Sequence, residues 1–309
     1  MTLLGLETAL RFPAFFYSVM VLYWSAALNH RSWADMLVDQ YVTEGRSMFM
    51  SRWAMLAVFP PLMASMLAMR IIVMFKRGSI ADKDGFNKWI DRKLAESTQT
   101  ALTVYPEGHR STRGQSLPLK RGMLHYAFSR KMPVQVIIGL NKEAILSEKH
   151  LVARFGQTVG VGYSEAIDPA KFDSFDAFWA QVQSTWDAQW QQVFTAKLEG
   201  LPELHLSPPD YDYPPSVRRL MALCIPANIL LLAASLYLAL RCAATLLALC
   251  GPLQWPVTLV MSAWVAASFV LAWQPVNALE EQSRRHQRCA VREGAAGGGA
   301  ATVAQRKLD

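Results

Sequence analysis

Four short apolar runs, at about 19–28, 71–75, 100–105 and 134–138, alternate with helix-spaced residues along the first half of the chain, and this alternation leaves few folds open. Phe86, Trp89, Ile90 and Leu94 recur at helical spacing between the second and third runs, and Leu124, Ala127 and Phe128 do so between the third and fourth. A strand that returns parallel to its predecessor needs a crossover, which a helix supplies. The repeat therefore predicts an α/β domain with a mostly parallel sheet flanked by helices. In such sheets the loops after the strands gather along one edge, where ligands bind. His30, Arg77 and residues 107–110 each follow a predicted strand and are expected to converge there.

The run Asn29-His30-Arg31-Ser32-Trp33-Ala34-Asp35 has the makings of a base with an orienting carboxylate. A histidine can take a proton from an alcohol near neutral pH, and a carboxylate on its other ring nitrogen fixes the tautomer and stabilises the imidazolium. On a continuous helix five residues turn through ~500°, which would leave His30 and Asp35 ~140° apart. The two meet only if the chain turns between them. Asn29 and Ser32 are favoured helix N-caps, so the expectation is an extended segment to His30, a tight turn, and a helix with Asp35 in its first turn. Taken alone, two fixed positions among 6 histidines leave chance as the competing reading.

Tyr105-Pro106-Glu107-Gly108-His109-Arg110-Ser111 adds an anion site. Pro106 and Gly108 break the preceding strand and place Glu107 and Arg110 in a loop at its carboxyl end. An arginine fork there can bind phosphate through two hydrogen bonds, with Ser111, Thr112, Arg113 and Lys120 as further donors. A solvated turn with a surface ion pair is the alternative.

These two runs, with Leu117-Pro118-Leu119-Lys120-Arg121-Gly122 after the second, resemble motifs of the 1-acylglycerol-3-phosphate (lysophosphatidate) acyltransferases, the glycerolipid acyltransferases marked by His-x4-Asp and Glu-Gly-x-Arg. Ile71-Ile72-Val73-Met74-Phe75-Lys76-Arg77, then Pro133-Val134-Gln135-Val136-Ile137-Ile138, and the segment from Asp168-Pro169 onward are similar to further family segments in the family's order. The likeness covers roughly residues 19 to 195. His109 stands where the family usually has threonine, and fewer residues than usual precede the first motif. The resemblance implies transfer of an acyl group from acyl-CoA to the free hydroxyl of lysophosphatidate, forming phosphatidate in phospholipid biosynthesis. Glycerol 3-phosphate or another lysophospholipid is the alternative acceptor. It further implies His30 as base, Asp35 as its orienting partner, and Arg77, Glu107, Gly108, Arg110 and Lys120 as substrate-binding residues. No metal and no cofactor beyond acyl-CoA as co-substrate is expected. A catalytically silent lipid-binding membrane protein is a rival, opposed by the intact His30, Asp35, Glu107 and Arg110.

Of the 309 residues 52% are hydrophobic and only 18% charged, a low share for a soluble domain. Residues 220–240 and 253–273 are apolar stretches of the ~20 residues that span a bilayer, which predicts a C-terminal transmembrane hairpin. Arg218 and Arg219 precede it, Arg284, Arg285, Arg288 and Arg292 follow it, and the connection carries only Arg241. Positive charge stays inside, so the catalytic domain is expected on the cytoplasmic face, of the endoplasmic reticulum if the chain is eukaryotic. Pro226, Asn228, Gly251, Pro252 and Pro256 keep open a buried or re-entrant helix pair. The net charge of +7 suits membrane lipids, acyl-CoA and a lysophospholipid phosphate. Nucleic acid is not a partner, because the basic residues are scattered and carry no recognition signature, and no protein partner is indicated. Cys224, Cys242, Cys250 and Cys289 fall in or beyond the hydrophobic tail without metal-ligand spacing.

The chain thus divides into a short membrane-associated segment (1–18), an acyltransferase domain (19–205), a hairpin (217–275) and a basic, low-complexity tail (280–309). A signal peptide would be cleaved almost on top of His30 and is rejected. Residues 48–69 read as two short helices parted at Pro60-Pro61, either dipping into the leaflet or packed in the core. Phe175, Phe178, Trp179, Val182, Trp186, Trp190 and Val193 form one helical stripe capped by Asp173 or Ser174.

Overall fold

The computed structural model of the chain describes residues 24–76, 82–110, 114–147, 152–196, 202–204 and 215–273. The expected N-terminal segment, Arg77, Ser111, Thr112, Arg113 and the expected basic tail lie outside them.

The elements run β1 (Trp24–Leu28), α1 (Asp35–Val42), β2 (Ser47–Arg52), α2 (Ala54–Val58), α3 (Pro60–Ala68), β3 (Ile72–Phe75), α4 (Lys83–Glu96), β4 (Ala101–Val104), α5 (Arg121–Ser129) and β5 (Val134–Leu140). After these come α6 (Lys142–Ile145), a small ribbon of β6 (Leu146–Ser147) and β7 (Val152–Ala153), β8 (Gly160–Ile167), α7 (Phe175–Thr195), α8 (Pro215–Leu249) and α9 (Gln254–Ala272). The main sheet has six strands in the order β3-β2-β4-β1-β5-β8. Every pairing is parallel except that of β8, which lies antiparallel on β5. The predicted mostly parallel sheet flanked by helices is what forms.

Alternation along the strands gives each face its own core. Ala27, Met48, Leu102, Val104, Val136 and Ile138 point to one side, under α4, α5 and the Phe178, Val182, Trp186 stripe of α7. Ala26, Leu28 and Ile137 point to the other, under Val42 and Tyr163, and Phe49, Ile72 and Met74 meet Met63 and Met66 of α3. Strands buried on both faces read as continuous apolar runs, which is why four of them are visible in the sequence.

Two strands of the main sheet are not. Residues 47–52 form β2, where the sequence predicts helix through 48–69. Ser-Met-Phe-Met-Ser-Arg has little intrinsic strand preference, and ladders to β3 and β4 on its two sides override it. The two expected helices start only beyond it, as α2 and α3, with Pro60 opening the second. The edge strand β8 carries Gly160 and Gly162, which dilute its pattern. Ser174, not Asp173, caps α7, its hydroxyl accepting from Ala177 N–H at 3.2 Å.

The two C-terminal helices, Pro215–Leu249 and Gln254–Ala272, are long and apolar enough to cross a membrane and form a pair joined by a tight turn at Gly251–Leu253. Their leucines, valines and tryptophans are exposed almost throughout, an apolar surface of the kind that a membrane or a partner protein covers. Among the described residues, hydrogen bonds tie the pair to the α/β domain. Asn228 Nδ2 donates to Ser65 Oγ of α3 at 2.6 Å, and Phe155 N–H donates to Ala272 O at 2.8 Å.

Candidate active site

Three adjacent central strands, β4, β1 and β5, end side by side, and the residues that follow them build the site. After β1 the Asn29 side chain acts as an extra rung of the ladder. Its amide donates to Gly139 O at 2.7 Å and accepts from Gly139 N–H at 2.8 Å. Asn29 is therefore a clamp between β1 and β5, not the helix cap its type suggests. Ser32 also does not cap α1: its hydroxyl accepts from Ala34 N–H at 2.9 Å inside the turn, and Ala34 holds the cap position without a side-chain bond. The turn does what the spacing requires. His30 Nδ1 meets Asp35 Oδ2 at 2.7 Å, and the same oxygen accepts Arg31 N–H at 2.5 Å.

That contact assigns the tautomer. Ionised Asp35 only accepts, so Nδ1 carries the hydrogen and Nε2 is left with its lone pair. The His30 side chain is 28% exposed while that of Asp35 is 1% exposed, so a solute can reach the ring but not its partner. Tyr105, just after β4, stacks on the imidazole at 4.3 Å between centroids. Glu107, also buried, receives His30 N–H on Oε2 at 3.1 Å, while Oε1 has no hydrogen-bond partner. Glu107 is expected among the substrate-binding residues, but its observed bond is to the backbone of the histidine itself. Burial pushes the Glu107 carboxyl up to about 7, against the bond from His30 and the charges of Arg31 and Lys142.

Beneath the pair lies a buried charge cluster. Asp39 is four residues after Asp35 and so on the same face of α1. Lys142, the first residue of α6, sends its ammonium to Asn29 O at 2.6 Å, to Asp39 Oδ1 at 2.9 Å and to Asp39 Oδ2 at 3.3 Å. Its distance to Asp35 Oδ1 is 3.6 Å, an ion pair rather than a hydrogen bond. Tyr105 O–H donates to Asp39 Oδ2 at 2.8 Å. Burial works to raise Asp35, but Lys142, then the bond and charge of His30, outweigh it and hold Asp35 below the ordinary 3.8. Burial prevails at Asp39, which sits at about 7. Arg31 is engaged elsewhere: its guanidinium pairs with Glu143 and lies 5.0 Å over Phe194 of α7.

The other expected residues form the rim. The exposed Arg110 guanidinium sits 5.6 Å over the Trp33 ring, next to the His30–Asp35 turn, and Trp33 meets Phe59 edge-on at 5.8 Å. Lys120 N–H donates to Pro106 O at 2.7 Å, and its exposed side chain runs across Gly108, whose φ is +74°. The structure thus brings together His30, Asp35 and Glu107, sets Gly108, Arg110 and Lys120 at the edge, and does not describe Arg77. Lys142, Asp39 and Tyr105 are not singled out by sequence reasoning. Asp39 is findable as the next residue on the Asp35 face, and Lys142 as a polar residue just past an apolar strand. Among the described residues no group of three or more His, Cys, Asp or Glu is placed to hold a metal.

Residues 26–138 match the family model described as Acyltransferase. No curated protein gives a significant match. Among solved structures, similarity is found to the crystal structure of the 1-acyl-sn-glycerophosphate (LPA) acyltransferase PlsC from Thermotoga maritima, with 17% sequence identity, coverage of 57% of this chain and 68% of that chain, and a TM-score of 0.46.

Proposed function

We propose that this chain, an acyltransferase by the domain matched at residues 26–138, is a membrane-bound enzyme that moves an acyl group from acyl-CoA to the free hydroxyl of lysophosphatidate. The observation that carries the reading is the 2.7 Å contact of His30 Nδ1 with Asp35, which leaves Nε2 as a partly exposed base at the ends of the central strands. Nε2 takes the hydroxyl proton as the oxygen attacks the thioester carbonyl. The tetrahedral intermediate collapses by breaking the C–S bond, and the thiolate of coenzyme A recovers the proton from the imidazolium. No enzyme nucleophile is needed. Arg110, with Lys120 and Arg77, binds the acceptor phosphate and supplies proximity and orientation. Gly108 gives the loop the left-handed backbone that this placement needs, and buried Glu107 fixes the His30 backbone.

In this reading the hairpin holds the domain at the bilayer, and the arginines beyond its two ends favour the cytoplasmic side for the catalytic domain by the positive-inside rule. The test is to incubate membranes containing the protein with labelled acyl-CoA, with and without each of lysophosphatidate, glycerol 3-phosphate and other lysophospholipids. Lysophosphatidate-dependent phosphatidate, lowered roughly 10²- to 10⁴-fold in His30→Ala, is the expected result. Acceptor-independent free acid would make the protein a hydrolase, and no turnover with any acceptor would make it a lipid-binding protein.

A further inference from the structure

Two buried carboxylates one helical turn apart, Asp35 and Asp39, share the cluster beneath His30, and Asp35 touches the ring, which in the proposed reaction begins each cycle without a proton. Left to themselves they would draw a proton onto His30 and hold it there, and an imidazolium has no lone pair with which to accept another. The Lys142 ammonium is fully buried and contacts both, at 2.9 Å to Asp39 and 3.6 Å to Asp35. Its placement is built by the chain around it. Asn141 takes a left-handed turn with φ of 71°, which swings Lys142 back under the site. Gly139 leaves room for it, since a Cβ there would stand 2.8 Å from Lys142 Cδ. Asn29, the residue before His30, gives its carbonyl as the third anchor.

The other charged or titratable groups facing the cluster do not do this work. Arg31 and Glu143 pair with each other, Tyr105 is a neutral donor to Asp39, and Glu107 holds the His30 backbone. Helix α7 brings the rings of Trp190 and Phe194 to this corner, against Arg31. We propose that Lys142 is a positioning residue whose charge keeps His30 unprotonated between turnovers: it offsets one of the two carboxylates, so that Asp35 orients the ring without trapping it as imidazolium. The consequence for turnover rests on the acyltransferase reading, whereas the charge balance itself does not.

Diethyl pyrocarbonate modifies neutral imidazole only, so its rate of reaction at His30, followed by peptide mass spectrometry across pH on the full chain in detergent, reports the proton without any acyl transfer. Asp39→Asn serves as the reference, because it removes the second carboxylate and with it the competing site for a proton. Adding Lys142→Met to it should move the His30 midpoint up by about 1 pH unit or more. The acidic limb of kcat/KM should move with it, while KM for either substrate stays. Lys142→Met alone should give a midpoint no lower than wild type. If that variant fails to fold, the Asp39→Asn/Lys142→Met double variant carries the test, since a neutral amide at position 39 needs no counter-charge. Coincident midpoints in the two Asp39→Asn proteins, or a downward move, would overturn the proposal and leave Lys142 a purely structural anchor. A shifted midpoint in a protein with no acyl transfer would instead keep the inference and defeat the reaction assigned.

Discussion

Glu107→Gln isolates the cost of a buried carboxylate beside the base. Oε2 of Glu107 holds His30 N–H, and Oε1 is buried without a partner, so the amide oxygen of glutamine can keep the bond while the variant loses the ability to ionise. The folded carboxyl titrates at about 7, against the ordinary 4.5 expected when unfolded. The folded protein therefore binds this proton more tightly. Its contribution to stability is intact below about 4.5, falls as pH rises through the interval, and is lost above about 7. The gap of about 2.5 at ~1.4 kcal/mol per pH unit amounts to roughly 3–4 kcal/mol in full, of which about 3 kcal/mol falls between pH 4 and pH 8. A domain of this size shifts roughly 2–4 °C per kcal/mol, so the midpoint of Glu107→Gln relative to wild type should rise by about 6–12 °C between pH 4 and pH 8. Thermal unfolding of both proteins in the same detergent, followed across that range, measures it. Other groups titrate in the same window, Asp39 among them, but they are common to both proteins and cancel in the difference. Parallel curves for the two proteins would refute the assignment of a strained, proton-binding Glu107.

Asp35→Asn should lower kcat by about 10²- to 10⁴-fold with little change in either KM, because the amide keeps its oxygen toward the Lys142 ammonium and turns its NH2 toward His30, favouring the tautomer that lacks a lone pair on Nε2; initial rates over both substrates read it, and a kcat within about threefold of wild type would reduce Asp35 to a helix-start residue. Gly108→Ala should destabilise the fold by about 1 kcal/mol and lower activity further than stability alone predicts, since a side chain at φ of +74° is strained and its Cβ would press on Lys120 Cε at 2.9 Å; unfolding and activity of the same preparation separate the two effects. Arg110→Lys should raise the KM for the acceptor more than that for acyl-CoA, because the planar fork over Trp33 is lost while the charge stays; the opposite split would assign Arg110 to the coenzyme A phosphates.

The parts of the fold that are legible in the sequence are those where local pattern and tertiary need agree. β1, β3, β4 and β5 are short apolar runs because both faces are covered, and α7 declares itself by its tryptophan stripe and Ser174 cap. β2 reads as helix because, Phe49 apart, nothing in Ser-Met-Phe-Met-Ser-Arg prefers strand. Its place is set by its pairing with β3 on one side and β4 on the other. The site divides the same way. His30 and Asp35 are readable as a pair because five residues and one obligatory turn connect them.

Sequence separation explains why the support for that pair is not readable. The Lys142–Asp39 bond joins residues 103 apart, and no spacing rule reaches across such a distance. Only the sheet order makes them neighbours, by laying β5 directly beside β1 so that the turn after each opens on the same edge. A lysine followed by glutamate at the start of a short helix is ordinarily a solvated pair. Here the strand ends aim the two side chains differently, Glu143 to Arg31 and Lys142 to the carboxylates under His30. Removing one partner of such a buried pair costs about 3–5 kcal/mol, a penalty the cluster escapes only while both signs are present. The proposed base is thus specified locally, and its charge environment by topology. A chain that kept His-x4-Asp but lost the β1–β5 pairing would retain the signature and lose the charge balance proposed for the histidine.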